Sequence, residues 1–210
     1  FFLLLILLLT SCKSKIIETT SPDYYFTFGN IDFIPSTKWT KVDNNIATFS
    51  LGFVKGDCCG SVPNPEVMKY FPKLLDEYES NALAEQIKFI IDVKGWGVWA
   101  VELLETQEFI GCIGLHPQPS KFEFSPCIEI GWRIDPKFWN QGYATEGAEA
   151  CLRFAFEELK LEEIVAFTAK DNLVSQKVMK KIGMTFSHDF LHPDFDDEHP
   201  LREEKLYRIK

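Results

Sequence analysis

The sequence predicts an α/β protein whose mixed sheet begins with antiparallel hairpins and continues through a crossover connection. Two observations lead to this fold class. From about residue 64 onward, helical and strand patterns follow one another in the order helix, strand, strand, strand, helix, strand, helix, strand, strand. The chain has 210 residues, of which 46% are hydrophobic and 25% charged, which suffices for one full core but not for a second large domain.

The formal net charge of −9 argues against a nucleic-acid-binding protein, because such a protein needs basic patches to meet phosphates. The first sixty residues hold five Lys and five acidic residues, so the whole negative charge lies in residues 61–210. An acidic surface attracts cationic substrates, although acidity often serves only solubility.

Residues 1–20 have the pattern of a secretion signal. The run FFLLLILLL is too short to span a bilayer and has the length of the apolar part of a signal peptide. The small residues before Cys12 resemble the site at which bacterial lipoproteins are lipidated. We expect a signal or lipoprotein-like segment, clipped upstream because a Met and a charged start are missing, with a short buried helix or strand as the alternative.

Residues 21–60 are an atypical segment, for which a fusion is one explanation. Aromatic and β-branched runs between 24 and 54 predict two or three strands. None of the six cysteines forms a CxxC pair or stands at metal-ligand spacing from a His, so no metal site is predicted. They are Cys12, Cys58, Cys59, Cys112, Cys127 and Cys151.

The first half of the element series is a helix followed by three strands. A helix is predicted over 76–95, after a short helical turn that ends near Pro72. The apolar residues that share one face of this helix are Leu83, Ile87, Ile90 and Ile91. Strands are predicted over 95–106, 108–116 and 126–136, and the first two of them form a hairpin.

In the second half, a polar loop runs directly into a helix predicted from Ala144 to about Lys160. The residues that recur at helical spacing are Ala144, Ala148, Cys151, Leu152, Ala155, Phe156 and Leu159. A buried strand is predicted over 162–169, and a helix with an Asn N-cap and a terminal Gly over 172–183. The last two strands are predicted over 184–190 and 204–210.

The loop NQGYAT places several backbone N–H groups at an open helix N-terminus, where an anion such as a phosphate is stabilised. Gly142 permits close approach of a ligand or a positive φ angle. The loop has neither the Lys of a P-loop nor a GxGxxG spacing. A tight turn chosen for packing is the alternative.

The same segment resembles motif A of the GNAT superfamily of acetyl-CoA-dependent N-acetyltransferases, in which Gln/Arg-x-x-Gly-x-Gly/Ala links a strand to a long helix. In WNQGYA, Gly142 and Ala144 take the last two positions, whereas Trp139 replaces the Gln or Arg. The stretch EIGWRIDPKFWNQGYATEG, the stretch DNLVSQKVMKKIGM and the early NPEVMKYFPK are similar to the branch of ribosomal-protein N-terminal acetyltransferases.

This resemblance implies an acetyltransferase domain over 61–210, with a mostly antiparallel twisted sheet, helices on both faces and a splay at the central strands. It implies acetyl-CoA as co-substrate and a primary amine as acceptor, either a protein N-terminus or a small molecule, in a monomer or a homodimer. The pyrophosphate would lie on the backbone amides of Gln141, Gly142, Tyr143, Ala144 and Thr145. The pantetheine arm would pair with the strand containing Ile130, Trp132 and Ile134, with Asn172 near the thioester.

Direct attack on a thioester requires a neutral amine, and a general base supplies it. Glu129 is the first candidate, because a carboxylate within an otherwise apolar strand needs a reason to be there. An ion pair with Arg133, two positions further along the same face, is the alternative. His116, at the end of the preceding strand, is the second candidate.

The leaving thiolate takes a proton from a Tyr in many GNAT enzymes, but the corresponding position here is Met179. Ser175, one turn after Asn172, could act instead, directly or through water, or could be an ordinary surface Ser. The late loop with Asp194, Asp196, Asp197 and Glu198 would suit a cationic acceptor, or is simply solvated.

The acetyltransferase hypothesis predicts a cytoplasmic protein, because acetyl-CoA is cytosolic. The competing hypothesis is a non-catalytic binding module that is anchored to a membrane through a lipidated Cys12.

Overall fold

The computed structural model of the chain describes residues 26–28, 31–33, 46–50, 65–103, 106 and 108–210. The signal-like segment, Cys12 and the adjacent Cys58 and Cys59 lie outside these residues, so the expectations about them remain predictions. The same holds for the domain boundary near residue 60. None of the described helices is both long and apolar enough to cross a membrane.

Three short strands lie in the region where two or three were predicted. They are β1 (Phe26–Phe28), β2 (Ile31–Phe33) and β3 (Ile46–Ser50). β1 and β2 form a separate hairpin, whereas β3 pairs with the main sheet.

The remaining elements follow the predicted order. They are α1 (Pro65–Met68), α2 (Glu77–Lys94), β4 (Val98–Leu103), β5 (Phe109–Gln118), β6 (Cys127–Ile134), α3 (Tyr143–Arg153), β7 (Ile164–Ala169), α4 (Leu173–Lys181), β8 (Thr185–Leu191) and β9 (Glu203–Ile209).

The predicted fold class is confirmed. In the described part of the chain, seven strands form one sheet in the order β3-β4-β5-β6-β7-β9-β8. Every neighbouring pair is antiparallel except β6 and β7, which are parallel. This parallel pair is the crossover that α3 connects, and it lies at the centre of the sheet.

Helix α2 begins and ends as predicted. The Asp76 side chain accepts a hydrogen bond from the Glu79 N–H at 2.8 Å, and the Glu79 side chain accepts one from the Asp76 N–H, which together form a capping box. At the other end, Gly95 has φ 75°, and its N–H donates to the carbonyl of Ile91.

Helix α3 has the predicted length but not a uniform α winding. It is α-helical to Arg153 and continues as a π-helix over Phe154–Glu158, in which the Leu159 N–H donates to the Phe154 carbonyl. The small residues of α3 allow the helix to pack closely on the sheet. A Cβ added to Gly147 would lie 2.4 Å from Cδ1 of Ile113 on β5, so the helix lies directly on the sheet.

The sheet has two distinct faces. The large core lies under α3 and α4 and includes Ile113, Ile130 and Ile134. On the opposite face, an aromatic cluster surrounds Phe122 and Phe190, and the segment before α2 packs through Leu75. Side chains alternate along β6, so Glu129 and Arg133 point to this second face.

Candidate active site

The loop before α3 has the geometry expected of an anion-binding turn. Asn140 and Gly142 have φ angles of 61° and 96°, which turn the chain sharply into the helix. No side chain caps α3, and the Glu146 N–H bonds back to the Gly142 carbonyl. The N–H groups of Tyr143, Ala144 and Thr145 therefore have no acceptor within the helix, and they concentrate positive potential at its end.

Two side chains of this loop donate hydrogen bonds to nearby backbone carbonyls. The indole Nε1 of Trp139 donates to the Ile134 carbonyl at 2.7 Å, and Nε2 of Gln141 donates to the Lys137 carbonyl at 3.1 Å. Trp139, which stands where the motif has Gln or Arg, thus connects the loop to the end of β6. A ligand at this loop would be held by backbone N–H groups rather than by a side-chain cation.

The central strands separate after one residue pair. Glu129 on β6 pairs with Val165 on β7, and no later residue of β6 pairs with β7. On its other edge, β6 remains paired with β5 along its whole length. From Ile130 to Ile134, one edge of the β6 backbone therefore faces a gap, where an extended ligand could add hydrogen bonds as a strand does.

Glu129 lies where this gap opens. Nε2 of Gln118 donates to its Oε2 at 2.8 Å. Burial raises the pKa of Glu129 to about 7, although the Gln118 hydrogen bond and the positive charges of Lys121 and Arg133 oppose the shift. The residue keeps part of its surface exposed, as expected beside an open gap.

The alternative role for Glu129, an ion pair with Arg133, is not formed among the described residues. The Arg133 guanidinium instead lies over the Phe71 ring, with Cζ 4.2 Å from the ring centroid, and its Nη1 has no hydrogen-bond partner. Among the described residues, the hydrogen bond to the Glu129 carboxylate comes from Gln118.

The structure brings the two predicted base residues together. His116 is the direct partner of Glu129 in the β5–β6 ladder, so both side chains point to the same face. Burial, and to a smaller extent the charge of Lys121, lowers the pKa of His116 below its ordinary value. The imidazole is therefore neutral at pH 7.

Comparison with known proteins identifies the family of the chain. The family model described as acetyltransferase (GNAT) domain matches residues 58–185. The chain belongs to the GNAT acetyltransferase family. The narrower likeness to ribosomal-protein acetyltransferases stays a prediction.

Individual relatives support the same family. FsC-acetyl coenzyme A-N(2)-transacetylase of Aspergillus fumigatus is 37% identical over 148 residues, which cover 67% of this chain and 62% of that protein. The uncharacterized protein YkkB of Bacillus subtilis is 34% identical over 59% of this chain and 71% of its own length. A solved GNAT acetyltransferase from Bacillus anthracis has a TM-score of 0.66 at 26% identity, over 82% of this chain and 98% of that one.

In this GNAT chain, Asn172 has a defined structural task. Its Oδ1 accepts a hydrogen bond from the Ser175 N–H at 3.2 Å, and its Nδ2 donates to Thr168 Oγ1 at 2.9 Å. The predicted N-cap is therefore confirmed, and the side chain also ties α4 to the end of β7. Met179 stands at the position where many GNAT enzymes have Tyr. Its side chain has no hydroxyl and is buried in the core, with 2% of its surface exposed.

A bridge across the gap was missed by sequence reasoning. The Tyr70 hydroxyl donates to the Asp171 carbonyl just after β7, while the neighbouring Phe71 ring lies on Arg133 of β6. The segment after α1 therefore reaches both sides of the gap on the face of Glu129. The signal was present in the aromatic pair of the stretch MKYFPK, but only the fold shows what the pair spans.

A second buried carboxylate was also missed. Glu204 on β9 is 7% exposed, and its Oε2 has no hydrogen-bond partner. Burial, together with the negative charge of Glu129, raises the pKa of Glu204 to about 8. It lines a groove of about 450 Å³ with Lys170, Asp171, Asp189, Phe190, Leu191, Glu203 and Lys205.

The acidic loop between β8 and β9 was predicted to suit a cationic acceptor, but ion pairs within the protein neutralise part of its charge. Asp194 forms an ion pair with Lys121 at 2.5 Å, and Asp197 forms one with Arg202. Asp196 accepts a hydrogen bond from the Glu198 N–H, which stabilises a turn. Glu204, and not this loop, therefore carries the unpaired buried carboxylate on this side of the sheet.

Proposed function

We propose that the protein transfers the acetyl group of acetyl-CoA to a primary amine by direct attack, without an acyl-enzyme. The observation that carries the proposal is the separation of β6 from β7 immediately after Glu129. It leaves an edge of β6 without β7 partners directly after a titratable carboxylate, and the loop that follows the end of β6 leads to the N-terminus of α3.

The residues present fit the cofactor at two places. The N–H groups of Gln141, Gly142, Tyr143, Ala144 and Thr145 suit the pyrophosphate, because they lie at a helix end whose N-cap residue, Gly142, makes no side-chain cap hydrogen bond. The backbone of Ile130–Ile134 suits the pantetheine arm, because on the edge facing β7 none of these residues pairs with that strand. The side chains of Ile130 and Ile134 are buried in the large core, and the Trp132 side chain packs against it. These three residues would therefore contact the pantetheine arm through their backbone groups. Bound acetyl-CoA supplies an activated thioester carbonyl.

Glu129 acts as the general base in this proposal. Most primary amines have a pKa of about 8–10 and are protonated at neutral pH. A carboxylate with a pKa of about 7 is half ionised there and accepts a proton from the ammonium far better than an exposed Glu would. Gln118 holds the carboxylate in place. His116, neutral and on the same face, is the second candidate.

The proton that the leaving thiolate needs comes from Ser175 or from a water that Ser175 holds. Ser175 is half-buried in the first turn of α4, three residues after Asn172. Asn172 uses both polar side-chain atoms to fix that turn, so we assign it the positioning of α4 near the thioester end rather than a direct chemical step.

The acceptor is a protein N-terminus or a small-molecule amine. The Aspergillus relative is named for transfer from acetyl coenzyme A to an N2 atom, which supports a nitrogen acceptor. The resemblance of the loop and of α4 to ribosomal-protein acetyltransferases favours a protein N-terminus.

Retention on CoA–agarose tests the cofactor part of the proposal. We expect the wild-type protein to be retained and Gly142→Glu to be lost, because a carboxylate would occupy the anion site. Gly142→Gln is the matched control, because it places a side chain of the same size but without the charge on the positive φ of 96°. More of this variant than of Gly142→Glu should be retained on the resin. Failure of the wild-type protein to bind, or equal loss in both variants, would overturn the assignment of this loop.

A further inference from the structure

The backbone of Gln118 is restrained on both sides. Gln118 is the last residue of β5, where it pairs with Cys127 of β6, and a proline stands on either side of it in the stretch HPQP. A proline fixes its own φ angle and restricts the residue before it to extended backbone. The side chain of Gln118 therefore projects from a backbone that has little conformational freedom.

This side chain reaches across the ladder to the proposed base. Residues two apart on a strand share a face, so Gln118 lies on the same face as His116, which is the direct partner of Glu129. Glu129 is thus the diagonal neighbour of Gln118, and Nε2 of Gln118 donates to Oε2 of Glu129 at 2.8 Å. The amide nitrogen faces the carboxylate because an ionised carboxylate can only accept hydrogen bonds.

The hydrogen bond distinguishes the two oxygens of the Glu129 carboxylate. Gln118 engages Oε2, which leaves Oε1 as the oxygen without this contact. If Oε1 takes up a proton, Oε2 becomes a carbonyl oxygen that still accepts a hydrogen bond, so the contact is compatible with both protonation states of Glu129. The contact is stronger to the ionised form and therefore favours the form that acts as a base.

The ionisable groups near Glu129 lie on β5, on β6, on β9 and in the loop after β5. They are His116, Lys121, Cys127, Arg133 and Glu204. Burial raises the pKa of Glu129, and among the groups that oppose this shift Gln118 has a larger influence than Lys121 or Arg133. Because Gln118 carries no charge, its influence comes from the hydrogen bond.

We propose that Gln118 is a positioning residue for acetyl transfer, which holds Oε2 of Glu129 so that Oε1 is directed toward the incoming amine. This inference rests on the proposed function, in which Glu129 is the general base, and it adds the residue that orients that base. In the proton transfer, an N–H bond of the ammonium breaks and an O–H bond forms at Oε1. The electron pair of the broken bond stays on the nitrogen, which then attacks the thioester carbonyl. Gln118 takes up no proton and acts through Glu129.

The pH dependence of kcat/KM tests the proposal with Gln118→Met, which keeps the length of the side chain but donates no hydrogen bond. Without a hydrogen bond to the charged form, the fall of kcat/KM toward low pH should begin about one pH unit higher. The plateau above it should be about tenfold lower, because the carboxylate is no longer oriented. Gln118→Glu should move the fall further, because one of two adjacent carboxylates binds its proton more tightly. Ser120→Ala, in the exposed loop two residues later, is the control and should leave the profile unchanged.

Carbon-13 NMR of the Glu carboxyl carbons gives a readout that needs no acetyl transfer, and the Glu129 signal is assigned by its loss in Glu129→Gln. The titration midpoint of this signal should rise by about one pH unit in Gln118→Met and by more in Gln118→Glu. Unchanged midpoints in both variants, or a loss of rate that is equal at every pH, would overturn the proposal. If the midpoints shift but the wild-type protein acetylates no amine, the proposed function fails while the control of Glu129 by Gln118 stands.

Discussion

The Tyr70 hydroxyl donates a hydrogen bond to the backbone carbonyl of Asp171 at 3.3 Å, across 101 residues of sequence. It connects the segment after α1 to the turn between β7 and α4. With Phe71 packed on Arg133, this contact covers the gap on the face that carries Glu129. Under the proposed function the acceptor approaches Glu129 from this face, so we expect the bridge to influence acceptor binding rather than the loop before α3.

Replacing Tyr70 with Phe should weaken acceptor binding and leave cofactor binding intact. Loss of one hydrogen bond of this kind corresponds to about 1 kcal/mol, so we expect the KM for the amine to rise roughly fivefold. Retention on CoA–agarose should not change. Tyr78→Phe is the control, because Tyr78 is 81% exposed on α2 and should have no effect on either measurement. A loss of CoA retention in Tyr70→Phe would place the bridge on the cofactor side instead.

Glu129→Gln should remove the pH dependence that a base with a pKa of about 7 produces. In the wild-type enzyme, kcat/KM should fall as the pH is lowered through 7, because the carboxylate becomes protonated and cannot accept the proton of the amine. The variant should lose about 10²–10⁴-fold at pH 7 and recover partly at pH 9, where more of the amine is neutral in solution. Identical pH profiles for the two proteins would exclude Glu129 as the base and direct attention to His116.

Gly147→Ala should destabilise the fold by about 1–3 kcal/mol, because its Cβ would overlap Cδ1 of Ile113. The double variant with Ile113→Val removes that methyl group and should recover part of the loss relative to Ile113→Val alone, as measured by urea unfolding. Gly131→Ala is the control, since a Cβ there meets no atom within 4 Å. Equal destabilisation at both glycines would contradict close packing of α3 on β5.

The stability of the wild-type protein should depend on pH through Glu204. Its pKa is raised from the ordinary value of 4.5 to about 8, so the folded protein keeps the proton over a range in which the unfolded chain loses it. Below pH 4.5 the side chain is neutral in both states and costs no stability, and the free energy of unfolding then falls as the pH rises from 4.5 toward 8. The shift is about 3.5 pKa units, so at about 1.4 kcal/mol per unit the whole change is on the order of 5 kcal/mol.

Glu204→Gln should therefore gain stability relative to the wild-type protein between pH 5 and pH 8.5, as measured by chemical unfolding at both values. Glu203→Gln, which alters an exposed neighbour, should show a much smaller difference. A constant difference between Glu204→Gln and the wild-type protein at the two pH values would mean that Glu204 ionises normally in the folded state.

Local rules predict the backbone of this fold well. The limits of α2 follow from Asp76 and Gly95, whose roles depend on residues at most four positions away. The turn into α3 follows in the same way from Gly142. The alternation along β6 places Glu129 and Arg133 on one face, as the structure confirms.

Long-range partners are what the sequence leaves open. An ion pair between Glu129 and Arg133 is compatible with their spacing, but Phe71, some sixty residues earlier, takes the guanidinium. Glu204 belongs to a charged run, REEK, which is typical of an exposed strand end. Its spacing of two from the buried Leu206 was the available signal, but the aromatic loop that covers it comes from residues near 122. The π-helical end of α3 likewise has no marker in the periodicity of its apolar residues.

The contacts of Trp139 and Gln141 have a consequence for the thermodynamics of association. Each side chain fastens the turn before α3 to a nearby carbonyl, so the orientation of the N–H groups at the helix end is set when the chain folds. An anion that arrives there meets dipoles that are already aligned, and little further conformational entropy is lost in the encounter. We therefore expect an anion to bind this rigid loop tightly. Trp139→Ala should weaken anion binding because the loop is then less ordered, although no charge is removed.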